Sequence, residues 1–120
     1  QEQLAVGHEL FFGIRRNPGW PPLLTIGGGG IYTELYRDLA RAFLPVNEKI
    51  IGKLLHQTSI GQIIFGYRTG VKLAIKAVIK LILNSCQIVE ELPQVKELEI
   101  NPAFVTESQV TIVDLKIQID

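Results

Sequence analysis

Polar and apolar residues alternate in two runs near the C-terminus, Val95-Lys96-Glu97-Leu98-Glu99-Ile100-Asn101 and Gln109-Val110-Thr111-Ile112-Val113-Asp114-Leu115-Lys116-Ile117. A period of two predicts strands, and the polar break Thr106-Glu107-Ser108 between the runs predicts a hairpin. With a two-residue loop at Glu107 and Ser108, Thr106 faces Gln109 and Asn101 faces Asp114. Opposed residues share one face of a sheet, and Glu99, two residues from Asn101, shares it as well. A three-residue loop would instead turn Asp114 to the other face. Pro102 is placed to force a bulge.

Upstream, aromatic and branched residues over 4–16 predict a strand, and Asn17-Pro18-Gly19-Trp20-Pro21-Pro22 a turn. Residues 23–26, 31–36 and 39–44 read as further short strands, with Gly27 to Gly30 between the first two and Pro45 closing the β-rich half. Asn47 is an N-cap for a helix with Ile50, Ile51, Leu54 and Leu55 as its apolar stripe. Thr58 or Ser59 caps a short second helix bearing Ile60, Ile63 and Ile64. After a turn over 66–70, Ala74, Ala77, Val78, Leu81, Ile82, Ser85, Ile88 and Val89 repeat at helical spacing, which predicts one long helix over 71–92 stopped by Pro93. Strands, then helices, then a hairpin make this an α+β chain: a mostly antiparallel sheet with two or three helices on one face.

Composition narrows the class. The 120 residues suit one domain or subdomain, and 47% hydrophobic against 20% charged content excludes a disordered chain. Twelve basic and twelve acidic residues give zero net charge, so no nucleic-acid footprint is expected. One cysteine, Cys86, excludes an intrachain disulfide and suits a reducing, cytoplasmic setting. No apolar run is long enough to span a membrane, and no signal-peptide pattern opens the chain. The chain lacks methionine and begins at Gln1, as expected of a piece of a longer polypeptide.

Candidate chemistry is concentrated in the hairpin. Glu99, Asn101 and Asp114 would offer three oxygen donors, the type that Mg2+ takes together with phosphate. The competing reading is an ordinary hairpin with one solvated polar face. The glycine tetrad lacks the Lys-Ser or Lys-Thr of a P-loop and reads either as a structural turn or as a ligand-facing loop. Lys72, Lys76 and Lys80 form an i, i+4 row on a solvated helix edge. Cys86 reads as a buried thiol, and His8 and His56 as packing or surface residues without ligand spacing.

Taken in order, several segments resemble one family. Gly7-His8-Glu9-Leu10 through Gly13-Ile14-Arg15-Arg16-Asn17-Pro18, then Gly27 to Gly30 with Glu34 and Asp38, are followed by Leu44-Pro45-Val46-Asn47. Gln57-Thr58 through Gly66-Tyr67-Arg68, Glu97-Leu98-Glu99-Ile100-Asn101-Pro102 and Val113-Asp114 complete the set. Together they resemble the C-terminal part of the ATP-grasp domain of the ADP-forming (NDP-forming) acyl-CoA synthetases. That family includes acetyl-CoA synthetase β-type subunits and relatives fused to a GNAT-type acetyltransferase, whose branch the Gln-Thr…Gly-Tyr-Arg segment favours. Asn17 in place of the usual Asp, and Trp20-Pro21-Pro22 in place of Phe-Gly-Pro, depart from the pattern.

The resemblance implies Mg2+ and ATP (ADP) as cofactors. Asn101 and Asp114 fall on its metal positions, and Glu99 on an acidic position beside the γ-phosphate where a phosphohistidine segment approaches. It further implies that Arg15 and Arg16 lie near phosphate and that Arg68 sits in a recurring turn of the nucleotide site. The partners it implies are CoA and an acyl substrate, along with the missing ATP-grasp and CoA-binding domains. A homodimer is expected only through surfaces those domains would cover. The alternative is a non-catalytic regulatory or interaction domain of a protein acetyltransferase.

Overall fold

The computed structural model describes residues 7–28, 38–67 and 69–120. Its elements run β1 (His8–Arg15), β2 (Leu23–Gly28), β3 (Leu39–Phe43), α1 (Glu48–His56), α2 (Ser59–Ile64), α3 (Ile75–Glu91), β4 (Val95–Val105), β5 (Val110–Ile112) and β6 (Leu115–Ile119). All strand pairs are antiparallel. The sheet runs β3-β2-β1-β4, and β5 and β6 both pair with the outer edge of β4. The expected strand over 31–36 lies outside the described residues, as do Gly29, Gly30, Glu34 and Arg68.

Alternation along the strands decides which face is covered. Leu10, Phe12 and Ile14 of β1, Leu24 and Ile26 of β2, and Leu98, Ile100, Ala103 and Val105 of β4 are buried on one face. Ile51, Leu55, Ile64, Val78, Ile82 and Val89 of the three helices are buried with them, forming one apolar core. Removing that much apolar surface from water is the main term favouring the fold. The opposite face of the sheet carries no helix among the described residues.

Local chemistry fixes the helix ends. Ile50 N–H donates to Asn47 Oδ1 (2.9 Å), the N-cap expected for α1. At α2 the cap is Thr58, whose Oγ1 accepts from Gly61 N–H at 3.0 Å. The α1–α2 corner is so tight that a Cβ on Gly61 would lie 1.8 Å from Leu55 O. Gly66 and Gly70 take φ of +84° and +78° in the following turn, where glycine adopts the left-handed region without steric cost.

The long helix begins later than its apolar spacing predicts. Residues 71–74 are not helical: Leu73 N–H donates to Ile64 O (2.8 Å) and Ala74 N–H to Thr106 O (2.9 Å). These bonds to α2 and to the hairpin loop replace the first helical turn and set the buried Leu73 into the core. Lys72 therefore precedes α3, and only Lys76 and Lys80 of the lysine row are helical. Ile88, expected in the core, is 42% exposed. It is one residue, about 100° round the helix, from the buried Val89. Cys86 is buried, and burial followed by the nearby Glu90 carboxylate raises its thiol from 9.0 to about 12. A neutral thiol in that setting is a packing group, not a nucleophile.

Arg16 also departs from expectation. Its Nε donates to Val95 O (2.8 Å), and one terminal nitrogen donates to Val89 O and Leu92 O. The guanidinium thus closes the C-terminal end of α3, where unpaired carbonyls and the helix dipole favour a cation. It is committed there and is not on the open face of the sheet. In the turn that follows, Trp20 stacks on Phe43 with ring centroids 5.5 Å apart. No described helix is long and apolar enough to cross a membrane.

Candidate functional site

The hairpin pairs in the register given by a two-residue loop. Thr106 N–H donates to Gln109 O (2.9 Å), and Ala103, Phe104 and Val105 pair with Ile112, Thr111 and Val110. The same register continues past the hairpin, with Ile100 opposite Leu115 and Glu99 opposite Lys116. Between these segments Asn101 N–H donates to Asp114 O (3.0 Å), while the N–H groups of Val113 and Asp114 both point to Pro102 O.

Pro102 does force a bulge, but against the other neighbour. Leu10 pairs with Ala103 and Phe12 with Ile100, so Asn101 and Pro102 together oppose Phe11 alone. The extra residue is absorbed on the β1 side, and β4–β6 keeps one register from Ile100 to Glu97, shifting only between Glu97 and Val95. A bulge of this kind re-aims the side chains at it. It separates Glu97, Glu99 and Asn101, on the open face, from Ala103 and Val105, which return to the core.

A cleft of about 910 Å³ lies on this open face. The registers arrange its lining in rows across the strands. One row runs Arg41, Thr25, Gly13, Glu99, with Lys116 beyond the cleft; a second runs Leu23, Arg15, Glu97; a third runs Leu39, Gly27, Phe11 to the Asn101-Pro102 bulge. Glu99, Asn101 and Arg15 all line the cleft, whereas Asp114 is opposite Asn101 in the hairpin and is not among the lining residues. Glu97, Glu99 and Asn101 stand on β4 and the two arginines on β1 and β3, while a third carboxylate, Glu9, lies at the start of β1, six residues from Arg15.

These donors suit a hard cation in kind. Glu99 and Asp114 supply carboxylate oxygens and Asn101 an amide oxygen. Among the described residues no group of three or more His, Cys, Asp or Glu side chains is placed to hold a metal. The site is therefore not a closed protein cage. Its donors match in kind the open sort of site, in which one or two carboxylates share a cation with phosphate and water.

Asp38 and the two histidines have structural partners. Both Oδ atoms of Asp38 accept from Ser59 N–H at 3.0 Å, tying the start of β3 to the first turn of α2. His56 Nδ1 lies 2.9 Å from Gly52 O and its Nε2 3.0 Å from the Tyr67 hydroxyl, and the ring stacks on Phe65 at 3.9 Å. Nδ1 thus carries the proton and Nε2 accepts from Tyr67. His8 is half-buried in β1.

A sequence profile described as an ATP-grasp domain matches residues 1–119. The chain belongs to the ATP-grasp family. Its relatives include the ADP-forming acetate–CoA ligase I of Archaeoglobus fulgidus, 28% identical over 116 residues, 97% of this chain and 17% of that protein. The β subunit of the corresponding Pyrococcus furiosus enzyme is 28% identical over 113 residues, 94% of this chain and 49% of that subunit. This chain therefore spans half or less of the length of these relatives. The fold matches that of acetyl-coenzyme A synthetase 1 of Ca. Korarchaeum cryptofilum, in its complex with coenzyme A and Mg-AMPPCP, with a TM-score of 0.87 and 24% identity. The match covers 98% of this chain and 55% of that one. As an ATP-grasp subdomain, the chain has the antiparallel sheet and helical layer of these neighbours.

Of the β1–β3 half of the cleft, Arg15 alone was expected near phosphate, through the family resemblance, and Thr25 and Arg41 were not singled out. Arg41 lies in an alternating run, Leu39-Ala40-Arg41-Ala42-Phe43, and that alternation was the available signal for its face. Which strand it would stand beside depends on the β2–β3 pairing, which only the three-dimensional structure supplies.

Proposed function

We propose that this subdomain is one half of the nucleotide site of an ADP-forming acyl-CoA ligase and presents Mg2+ and phosphate to the chemistry of that larger protein. The observation that carries the reading is the convergence of Glu99 and Asn101 in the cleft, with Asp114 across from Asn101 in the hairpin register. The names of the relatives, all CoA ligases forming ADP in the two cases above, support the reaction class. Glu99, Asn101 and Asp114 would hold the metal, and Arg15 would face phosphate. When bound, Mg2+ supplies charge neutralisation on the transferring phosphoryl group. The residues of this chain orient that phosphate against the sheet, and the rest of the site, including CoA and acyl binding, belongs to the remainder of the ligase.

Support for the acetyltransferase-fused branch is confined to the Gln57-Thr58 through Gly66-Tyr67-Arg68 pattern. Arg68 is proposed for the nucleotide site on that pattern alone. A cytoplasmic setting accords with the single, buried Cys86. The test is Mg2+-dependent nucleotide binding by the full-length protein, compared between wild type and the Asn101→Ala/Asp114→Ala variant.

A further inference from the structure

Arg15 and Arg16 are adjacent in sequence and differ in what they do. Arg16 is held by the carbonyls at the end of α3, whereas Arg15 projects from the opposite face of β1 into the cleft. Arg41, on β3, enters the same cleft. Neither the Arg15 nor the Arg41 guanidinium has a hydrogen-bond or ion-pair partner among the described residues. Arg41 stands opposite Thr25, and Arg15 opposite Leu23, two residues back on β2. Strand spacing and rise put their Cα atoms about 12 Å apart, with long side chains able to converge on one group between them. The Thr25 hydroxyl and the Asn17 amide line that space too.

The floor between the arginines is Gly13, opposite Thr25 on one side and Glu99 on the other. A Cβ on Gly13 would meet nothing closer than Leu98 O at 3.5 Å, an ordinary contact, and its φ is not in the left-handed range. Neither packing nor backbone geometry within the described residues requires a glycine there. What a side chain at Gly13 would occupy is the cleft.

We propose that Arg15, Arg41, Thr25 and the bare floor at Gly13 form an oxyanion station, a binding site for a phosphate or carboxylate group distinct from the metal positions on β4. Two guanidinium forks and a hydroxyl are donors matched to oxyanions. Glu97 and Glu99 repel an anion from the β4 side, and Glu9 from the far end of β1, so the anion is confined to the end of the cleft between Arg15 and Arg41, while the carboxylates favour a cation beside them. The Arg41 row is that of Glu99, two residues or about 7 Å along β4 from Asn101. A cleft polarised in this way accommodates a metal-bound group on one side and a second anionic group on the other. The station stands on the cleft itself and not on the metal–nucleotide reading, so its test omits both metal and nucleotide.

The experiment titrates inorganic phosphate and, separately, acetate into the full-length protein with EDTA at constant ionic strength. Phosphate is read by 31P line broadening and acetate by saturation transfer from the protein. Saturable binding of either anion is expected, and the stronger of the two identifies the station as one for phosphate or for carboxylate. Arg41→Ala removes charge-assisted hydrogen bonds and weakens that binding about tenfold or more. Arg41→Lys recovers part of it, because the point charge remains but the planar fork is lost. Gly13→Ala weakens binding with an unchanged circular dichroism spectrum. Arg16→Met, whose guanidinium lies on the helix side, leaves it unchanged. No saturable binding of either anion, or binding indifferent to both Arg41→Ala and Gly13→Ala, overturns the proposal.

Discussion

Two glycines in consecutive helices should respond to alanine with opposite signs. Gly52, inside α1, has no heavy atom within 4 Å of a built Cβ, so Gly52→Ala adds a methyl group in open space. Helix propensity then favours alanine by up to about 1 kcal/mol. Gly61 in α2 has the same propensity term available, yet its Cβ would lie 1.8 Å from Leu55 O, 2.4 Å from Leu55 C and 2.9 Å from Leu55 Cα. All three are backbone atoms of α1, so no rotamer change relieves the overlap and the two helices must separate. Overpacking of this kind costs about 1–3 kcal/mol. The shift also draws Gly61 N–H away from Thr58 Oγ1, now at 3.0 Å, a cap contributing about 1 kcal/mol. The clash and the cap together outweigh propensity, and Gly61→Ala should be destabilising by about 1–3 kcal/mol. In urea denaturation its midpoint should fall by roughly 1 M while that of Gly52→Ala holds or rises. A Gly61→Ala protein as stable as wild type would refute the close approach of α1 and α2.

Arg16→Met should cost about 2 kcal/mol in the same assay, because it removes a cation and its hydrogen bonds from the end of α3; a change within 0.5 kcal/mol would contradict that role. Burial raises the Cys86 thiol to about 12, so the native state binds its proton more tightly than the unfolded chain. Its contribution to stability is complete below about pH 9 and declines as pH rises towards 12. Correspondingly, a thiol reagent at pH 8 should modify Cys86 only on unfolding, and rapid labelling of the native protein would show the thiol to be accessible.

The hairpin register was legible in part: the two-residue loop sets Val110, Ile112, Leu115 and Ile117 opposite the apolar Val105, Ala103, Ile100 and Leu98, whereas a one-residue slip would set them on the polar face. The caps at Asn47 and Thr58 were legible for a similar reason, since each satisfies helix donors locally. The start of α3 was not, because the apolar spacing runs on through Leu73 and Ala74. What stops the helix there is a pair of bonds to Ile64 O and Thr106 O, partners distant in sequence or set by packing. Arg15 and Arg16 illustrate the same limit within the site. The family resemblance implied both near phosphate, and only the position of α3 against β1 separates the helix-capping arginine from the one facing the cleft.

The function proposed above requires Glu99, Asn101 and Asp114 to hold metal-bound nucleotide phosphate on the open sheet face. The most direct measurement is calorimetric titration of ATP into the full-length protein, with Mg2+ and with EDTA, for wild type and Asn101→Ala/Asp114→Ala, with circular dichroism as the check on folding. The account predicts Mg2+-dependent binding by wild type that the folded double variant loses by about a hundredfold, as expected when two oxygen ligands of a charged group are removed. Binding of equal strength in both proteins, or in wild type with and without Mg2+, would contradict it.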